Sequence, residues 1–327
     1  MYNKKQYKEI LDYFNKDLDL VNFKIKSLLF ENGTGQKSAL EEDIAQFLFA
    51  KSKRLRPLML FLIKDVFKTD TDENIVKLAA ALELLHSATL IHDDIIDEAD
   101  LRRQTQTLNF KYNSKMAVIS GDLLLSFCLK ELSKIGKPKI FEYFSENTYQ
   151  ICKGEIEQFF NKNKIITIDE YIEKSKNKTS SLFMAGAKSV LCLINKKTEI
   201  SDTVQKNILD YVLNFSLAFQ IYDDIENFQN EFNKAHINHH GKAEKSSSDI
   251  ENGICTLPYL YISQQNHSYG IIDLKNNSLD EKTYNEALIF SKNYLNNTLN
   301  EALESIKPLQ TKYDTTLLQK LIETFRI

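Results

Sequence analysis

Apolar side chains recur at three- and four-residue spacing along almost the whole chain, as in Tyr7, Ile10, Leu11, Phe14 and Leu18 near the start, then Leu78, Ala81, Leu82, Leu85 and Thr89 further on. That spacing marks one face of an α-helix. No stretch of useful length shows the period of two that a half-buried strand needs. Gly occurs 9 times and Pro 4 times in 327 residues, about a third of average usage, which disfavours any fold built on many tight turns. An all-α protein of long helices is predicted, over roughly 4–29, 38–52, 56–67, 73–97, 114–135, 138–161, 168–177, 178–196, 201–228, 255–265, 279–305 and 313–325. Starts and stops agree: Ser38 with Glu41 and Glu42 reads as a capped start, Pro57 as a first-turn residue, and Gly136-Lys137-Pro138 as a break between two helices. No Ser/Gly-rich linker divides the chain, so a single domain over 1–327 is expected. The longest irregular stretch is expected at about 229–253, where His236, His239, His240, Gly241 and Lys242 lead into Ser246-Ser247-Ser248. A polar loop of that length in a compact helical protein reads as a functional lid.

Lys and Arg number 42 against 45 Asp and Glu, a formal charge of −3. No global field recruits nucleic acid or an acidic membrane, and an anionic ligand has to be caught by local charge. With 43 % hydrophobic and 11 % aromatic residues, the chain is far too apolar for a disordered protein. The four cysteines, Cys128, Cys152, Cys192 and Cys255, form no CxxC pair and read as buried apolar residues. The charged amphipathic start lacks an apolar h-region, and no run approaches the ~18 apolar residues of a membrane span. A cytoplasmic protein without stable membrane insertion is expected.

Two acidic clusters carry the chemistry. In His92-Asp93-Asp94-Ile95-Ile96-Asp97, Asp93 and Asp97 stand four apart on one helical face while Asp94 is turned by about 100°. Like charges at that spacing repel unless a cation sits between them. The second cluster, Asp223-Asp224-Ile225-Glu226-Asn227, is expected to repeat the geometry at the end of the apolar helix that includes Phe215–Tyr222. Carboxylates are on the unfavourable side of the dipole at a helix C-terminus, and neither cluster is preceded by a polar face. Oxygen-only ligation by a few carboxylates suits Mg²⁺ bridging the phosphates of a substrate. Cations for those phosphates are close in sequence: Lys53-Arg54-Leu55-Arg56-Pro57, Arg102-Arg103, and Lys178-Thr179, expected at the opening of a helix.

At these residues the chain resembles the trans-isoprenyl diphosphate synthases, in motifs ordered from about residue 50 to 262. The basic element is 53–57, and the first aspartate-rich motif runs from His86 to Asp97, followed by Arg102-Arg103. Gly121-Asp122, Gly154-Glu155, Lys178-Thr179, Phe219-Gln220, the motif from Asp223, Gly241-Lys242 and Thr256-Leu257-Pro258 then follow. The resemblance implies antiparallel helices around a deep central cavity, the type I isoprenoid synthase fold, with the two aspartate motifs facing across its mouth. It implies head-to-tail elongation, in which an allylic diphosphate, farnesyl or geranyl, ionises and is attacked by the double bond of isopentenyl diphosphate.

By match to the family, Asp93 and Asp97 hold two Mg²⁺ and Asp223 a third, with Asp94 and Asp224 in support. Arg102, Lys178 and Lys242 neutralise the allylic diphosphate, with Gln220 and Thr179 as polar contacts. Lys53, Arg56, His86 and Arg103 hold the diphosphate of isopentenyl diphosphate. The leaving diphosphate serves as base, so His86 reads as an anion ligand; His92 reads as a structural histidine. Ala88 and Thr89, one turn before Asp93, leave the helix without the aromatic stop of short-chain members. A product of about six to eight isoprene units is therefore expected, each unit spanning roughly one helical turn. A homodimer is expected, with a heterodimer left open.

The chain departs from the family pattern at Asn227, where an aspartate is usual, at Lys51, Ser52 and Gln104, where glycines are usual, and at Ile254. The segment between Asn227 and Gly241 is also longer than usual. Rival readings are a short-chain farnesyl or geranylgeranyl synthase, a catalytic or regulatory subunit of a heteromeric synthase, and a class I terpene cyclase. The last would use Asp223, Asn227 and Glu231 as a metal motif, but has no need of the isopentenyl diphosphate residues.

Overall fold

The structure, a computed structural model, describes residues 2–30, 38–50, 52–102, 105–160, 163–195, 198–237, 253–265 and 279–327, with the side chains of 234–237 left aside. Among these residues the regular structure is helical, apart from one hairpin of two-residue strands, β1 Leu101–Arg102 and β2 Thr105–Gln106. The chain divides into two compact units.

The first unit comprises Lys8–Ser145 and Ala185–Gln205. It contains most of α1 (Lys4–Tyr13), then α2 (Asn15–Phe30), α3 (Ala39–Phe49), α4 (Leu55–Val66), α5 (Glu73–Ile96), the hairpin, α6 (Leu108–Lys111), α7 (Ser114–Ile135) and the start of α8 (Pro138–Phe160). The expected helix over 4–29 is interrupted at Phe14, whose N–H is shared between the carbonyls of Ile10 and Leu11 at 3.4 and 3.1 Å. Ser38 and Glu41 form the expected capping box, and α7 ends on Gly136 at φ 65° before Pro138 opens α8. α5 is the core helix. Ile75, Leu78, Ala79, Ala80, Ala81, Leu82, Leu84, Leu85, Ala88 and Ile91 are all buried, a circumference too apolar for a surface helix, and it packs on α2, α4 and α7. It is long and apolar enough to cross a bilayer, contrary to the expectation that no run comes near that, but 67 % of its apolar window is buried inside the protein.

The second unit comprises Met1–Tyr7, Glu146–Met184 and Lys206–Ile327. It holds the rest of α8, α9 (Ile168–Ser175), a π-helical turn (Lys176–Ser180), the start of α10 (Ser181–Ile194), most of α11 (Asp202–Ile237), α12 (Leu257–Gln265), α13 (Glu281–Ile306) and α14 (Thr316–Phe325). Phe325 is its aromatic hub, in ring contact with Tyr2, Tyr7, Phe215, Phe219 and Tyr222. The Asn3 N–H donates to the Thr324 carbonyl at 2.9 Å, and the Tyr2 N–H to the Tyr222 hydroxyl at 2.8 Å.

Two expectations change here. The irregular stretch does not begin at 229, because α11 continues to Ile237: Phe232 stacks on Tyr284 with centroids 3.7 Å apart, and the Tyr259 hydroxyl donates to Glu231. The lid residues His239, His240, Gly241 and Lys242 lie outside the described residues. The cysteines are free thiols. Burial pushes Cys128 and Cys255 up to about 12, whereas Cys152 is exposed and Cys192 half-buried, so apolar burial accounts for two of the four.

Candidate active site

The last turn of α5 carries the first cluster. Asp93 and Asp97 are half-exposed, and the Asp97 N–H closes the helix on the Asp93 carbonyl at 2.8 Å. Asp94, turned to the other side, is 2 % exposed and accepts the Nε–H of Arg102 from β1 at 2.7 Å. The hairpin thus holds the arginine against the motif that precedes it. Arg103 and Lys242 lie outside the described residues.

His92, expected as a structural histidine, is half-exposed. Its ring lies over α7 so closely that a Cβ at Gly121 would stand 2.3 Å from Nε2, which gives Gly121 a steric reason. Asp122 is 3.6 Å from the same nitrogen.

The basic element starts α4. A guanidinium carries only donors, so the 2.9 Å contact between Arg56 Nη1 and His86 Nε2 requires Nε2 to accept, which assigns the imidazole proton to Nδ1. Two residues expected to bind one diphosphate are therefore brought together, with Lys53 half-exposed beside them in sequence.

In the second unit the acidic cluster lies in the middle of α11, a helix of 36 residues, rather than at a helix end. The expected dipole penalty does not apply there; the charge is handled by neighbours. Asp224 is 3 % exposed and accepts from Tyr171 on α9 at 2.6 Å and from Gln220 at 2.8 Å, while Gln220 Oε1 takes the hydroxyl hydrogen of Thr179 at 2.6 Å. Asp223 is half-exposed and Asn227 exposed. Lys178 pairs with Glu155 of α8. Lys178 and Thr179 do not open a helix. They occupy the π-helical turn between α9 and α10, a distortion frequent at functional positions.

Tyr171 and the ion-pair role of Glu155 escape a reading by sequence motif. Tyr171 and its partner Asp224 are 53 residues apart in sequence, so no local spacing signals that bond.

Magnesium fits the donor set. Asp93, Asp97 and Asp223 are half-exposed carboxylates, and among the described residues no three His, Cys, Asp or Glu gather into a closed metal cage. Mg²⁺ is typically held by one or two carboxylates and by substrate phosphates, with water completing the shell.

The sequence profile of the polyprenyl synthetase family matches residues 37–289. A prenyl transferase of Cyanophora paradoxa is 31 % identical over 264 residues, 79 % of this chain and 76 % of the relative. A geranylgeranyl diphosphate synthase of Saccharolobus solfataricus is 37 % identical over 221 residues, 65 % of this chain and 64 % of the relative. The solved octaprenyl pyrophosphate synthase of Helicobacter pylori superposes with a TM-score of 0.74 at 26 % identity, over 96 % of this chain and 99 % of that one. The chain belongs to the polyprenyl synthetase family of prenyltransferases and has its all-α fold.

Proposed function

We propose that the protein is a trans-polyprenyl diphosphate synthase that adds isopentenyl diphosphate repeatedly to farnesyl or geranyl diphosphate and stops at about six to eight isoprene units, or C30–C40, one unit per roughly one turn of helix. The observation that carries this reading is on α5. One turn before Asp93, Ala88 is buried at 2 % and Thr89 turns its hydroxyl back onto the His86 carbonyl at 2.8 Å, so neither position supplies a bulky stop.

In each addition the allylic C–O bond breaks and the double bond of isopentenyl diphosphate attacks the carbocation. The departed diphosphate takes up the proton that is lost. Asp93, Asp97 and Asp223 would hold Mg²⁺, about three ions, with Asp94 and Asp224 in support. Mg²⁺ supplies Lewis-acid neutralisation of the leaving group. Arg102, Lys178 and Lys242 take the allylic diphosphate, helped by Thr179 and Gln220; Lys178 does so by exchanging its contact with Glu155. Lys53, Arg56, His86 and Arg103 take the other diphosphate. A cyclase would need Glu231 as a metal ligand, and that carboxylate accepts the Tyr259 hydroxyl. α7 exposes Val118, Ile119 and Leu129, which a second copy would cover in the homodimer we propose.

The test is mass analysis of products from purified protein given Mg²⁺, isopentenyl diphosphate and primers of different length. Ala88→Phe should shorten the product to about three or four units, a loss of several helical turns of reach, while total turnover survives. Identical products from both proteins would overturn the length assignment. A C20 product from the wild type would establish the second reading, a geranylgeranyl synthase, which the name of the Saccharolobus relative favours.

A further inference from the structure

Arg54, the second residue of the basic element, is given no substrate role above, yet it is tightly held. It starts α4 in the left-handed region at φ 49°, a conformation that glycine adopts freely and other residues at a cost. Its side chain reaches inward. Nη1 donates to Glu83 Oε2 on α5 at 2.6 Å, and Nη2 donates to the Leu48 carbonyl in the last turn of α3 at 2.9 Å. The guanidinium also lies 5.7 Å from the centre of the Phe49 ring.

Glu83 is 5 % exposed, and a buried carboxylate deprived of its cation is strongly unfavourable. One fork-shaped side chain therefore ties α3, α4 and α5 together. What it ties is specific: Lys53 precedes Arg54, Arg56 follows within the same turn, and His86 stands one turn after Glu83, where it meets Arg56.

We propose that Arg54 and Glu83 are positioning residues for isopentenyl diphosphate. Their pair sets the start of α4 against α5 so that Lys53, Arg56 and His86 converge on one diphosphate. Arg54 itself makes no substrate contact in this scheme. The inference rests on the assignment of those three residues to isopentenyl diphosphate, and the experiment separates the two.

Steady-state kinetics of the full chain would compare Arg54→Gly, Glu83→Gln and Arg56→Ala with wild type. Glycine suits the left-handed start while deleting the clamp; glutamine keeps the shape and an acceptor but removes the charge. Losing a charge-assisted bond should raise KM for isopentenyl diphosphate about tenfold in Arg54→Gly and about threefold in Glu83→Gln. KM for the allylic substrate should stay within about twofold in both. A purely structural clamp would lower the melting temperature and the active fraction and leave both KM values in place. That result, with Arg56→Ala still raising KM for isopentenyl diphosphate, overturns the positioning role and leaves the site assignment standing. An unchanged KM in Arg56→Ala overturns the site assignment and the positioning role with it. Should Arg54→Gly not fold, Glu83→Gln decides on the same split.

Discussion

Each acidic cluster sets a half-exposed aspartate beside a buried one. Asp93 and Asp223 are turned partly to solvent, while Asp94 and Asp224 are closed in by Arg102 and by Tyr171 with Gln220. Asp93→Ala should therefore fold normally and lose several orders of magnitude in kcat, because removal of one charge-stabilising element at a leaving group is worth about 10²–10³ and a lost metal more. Near-normal turnover would remove Asp93 from the metal set. Tyr171→Phe deletes only a hydroxyl, and leaves Asp224 short of one buried donor. About a tenfold fall in kcat is expected from misplacement of the neighbouring Asp223, consistent with the 1–3 kcal/mol of an unsatisfied buried acceptor. It should come with a raised Mg²⁺ requirement and only a few degrees lost in melting temperature. A lowered melting temperature with unchanged Mg²⁺ dependence would mean that the tyrosine acts on stability alone.

At the scale of elements, the contact between α5 and α7 turns on a ring seated on a glycine. Gly121→Ala gains about 1 kcal/mol of helix propensity and places the new carbon 2.3 Å from His92 Nε2, a contact that the half-exposed ring relieves by swinging outward. Chemical denaturation should therefore show a change below about 1 kcal/mol, and His92→Ala in the same chain should restore the full gain; additive effects would show that the two residues do not meet. How much of this was legible follows the same division. α5 and α7 were predicted almost to the residue, because apolar period, capping residues and Gly136 mark them locally. The four-residue spacing of Asp93 and Asp97 is helical periodicity read directly, whereas the bond from Gln220 to Asp224 emerges only in the structure. The hairpin is not legible in the sequence, because two-residue strands have no period to detect. The length of α11 is not legible either, because polar composition after Asn227 points to a loop, whereas packing of Phe232 on Tyr284 keeps it helical. The bonds Arg102–Asp94 and Tyr171–Asp224 join different elements, and no local pattern announces them.

On the scale of the whole molecule, both units are assembled from segments distant in sequence, and the second depends on its two extremities. Phe325 is fully buried among five aromatic rings, one of them that of Tyr222, the residue before Asp223. Phe325→Ala should cost about 3–5 kcal/mol and be measurable by denaturant unfolding; a cost below about 1 kcal/mol would mean that the cluster closes over the cavity. The same cluster imposes an order in time. A nascent chain emerges residue by residue, and its earlier parts fold first where they can, but Tyr2 has to wait for Tyr222, and both wait for Phe325. The unit with the second aspartate motif thus stays open through most of translation, its aromatic faces within reach of chaperones, and the cell has no competent enzyme until the α14 segment has left the ribosome.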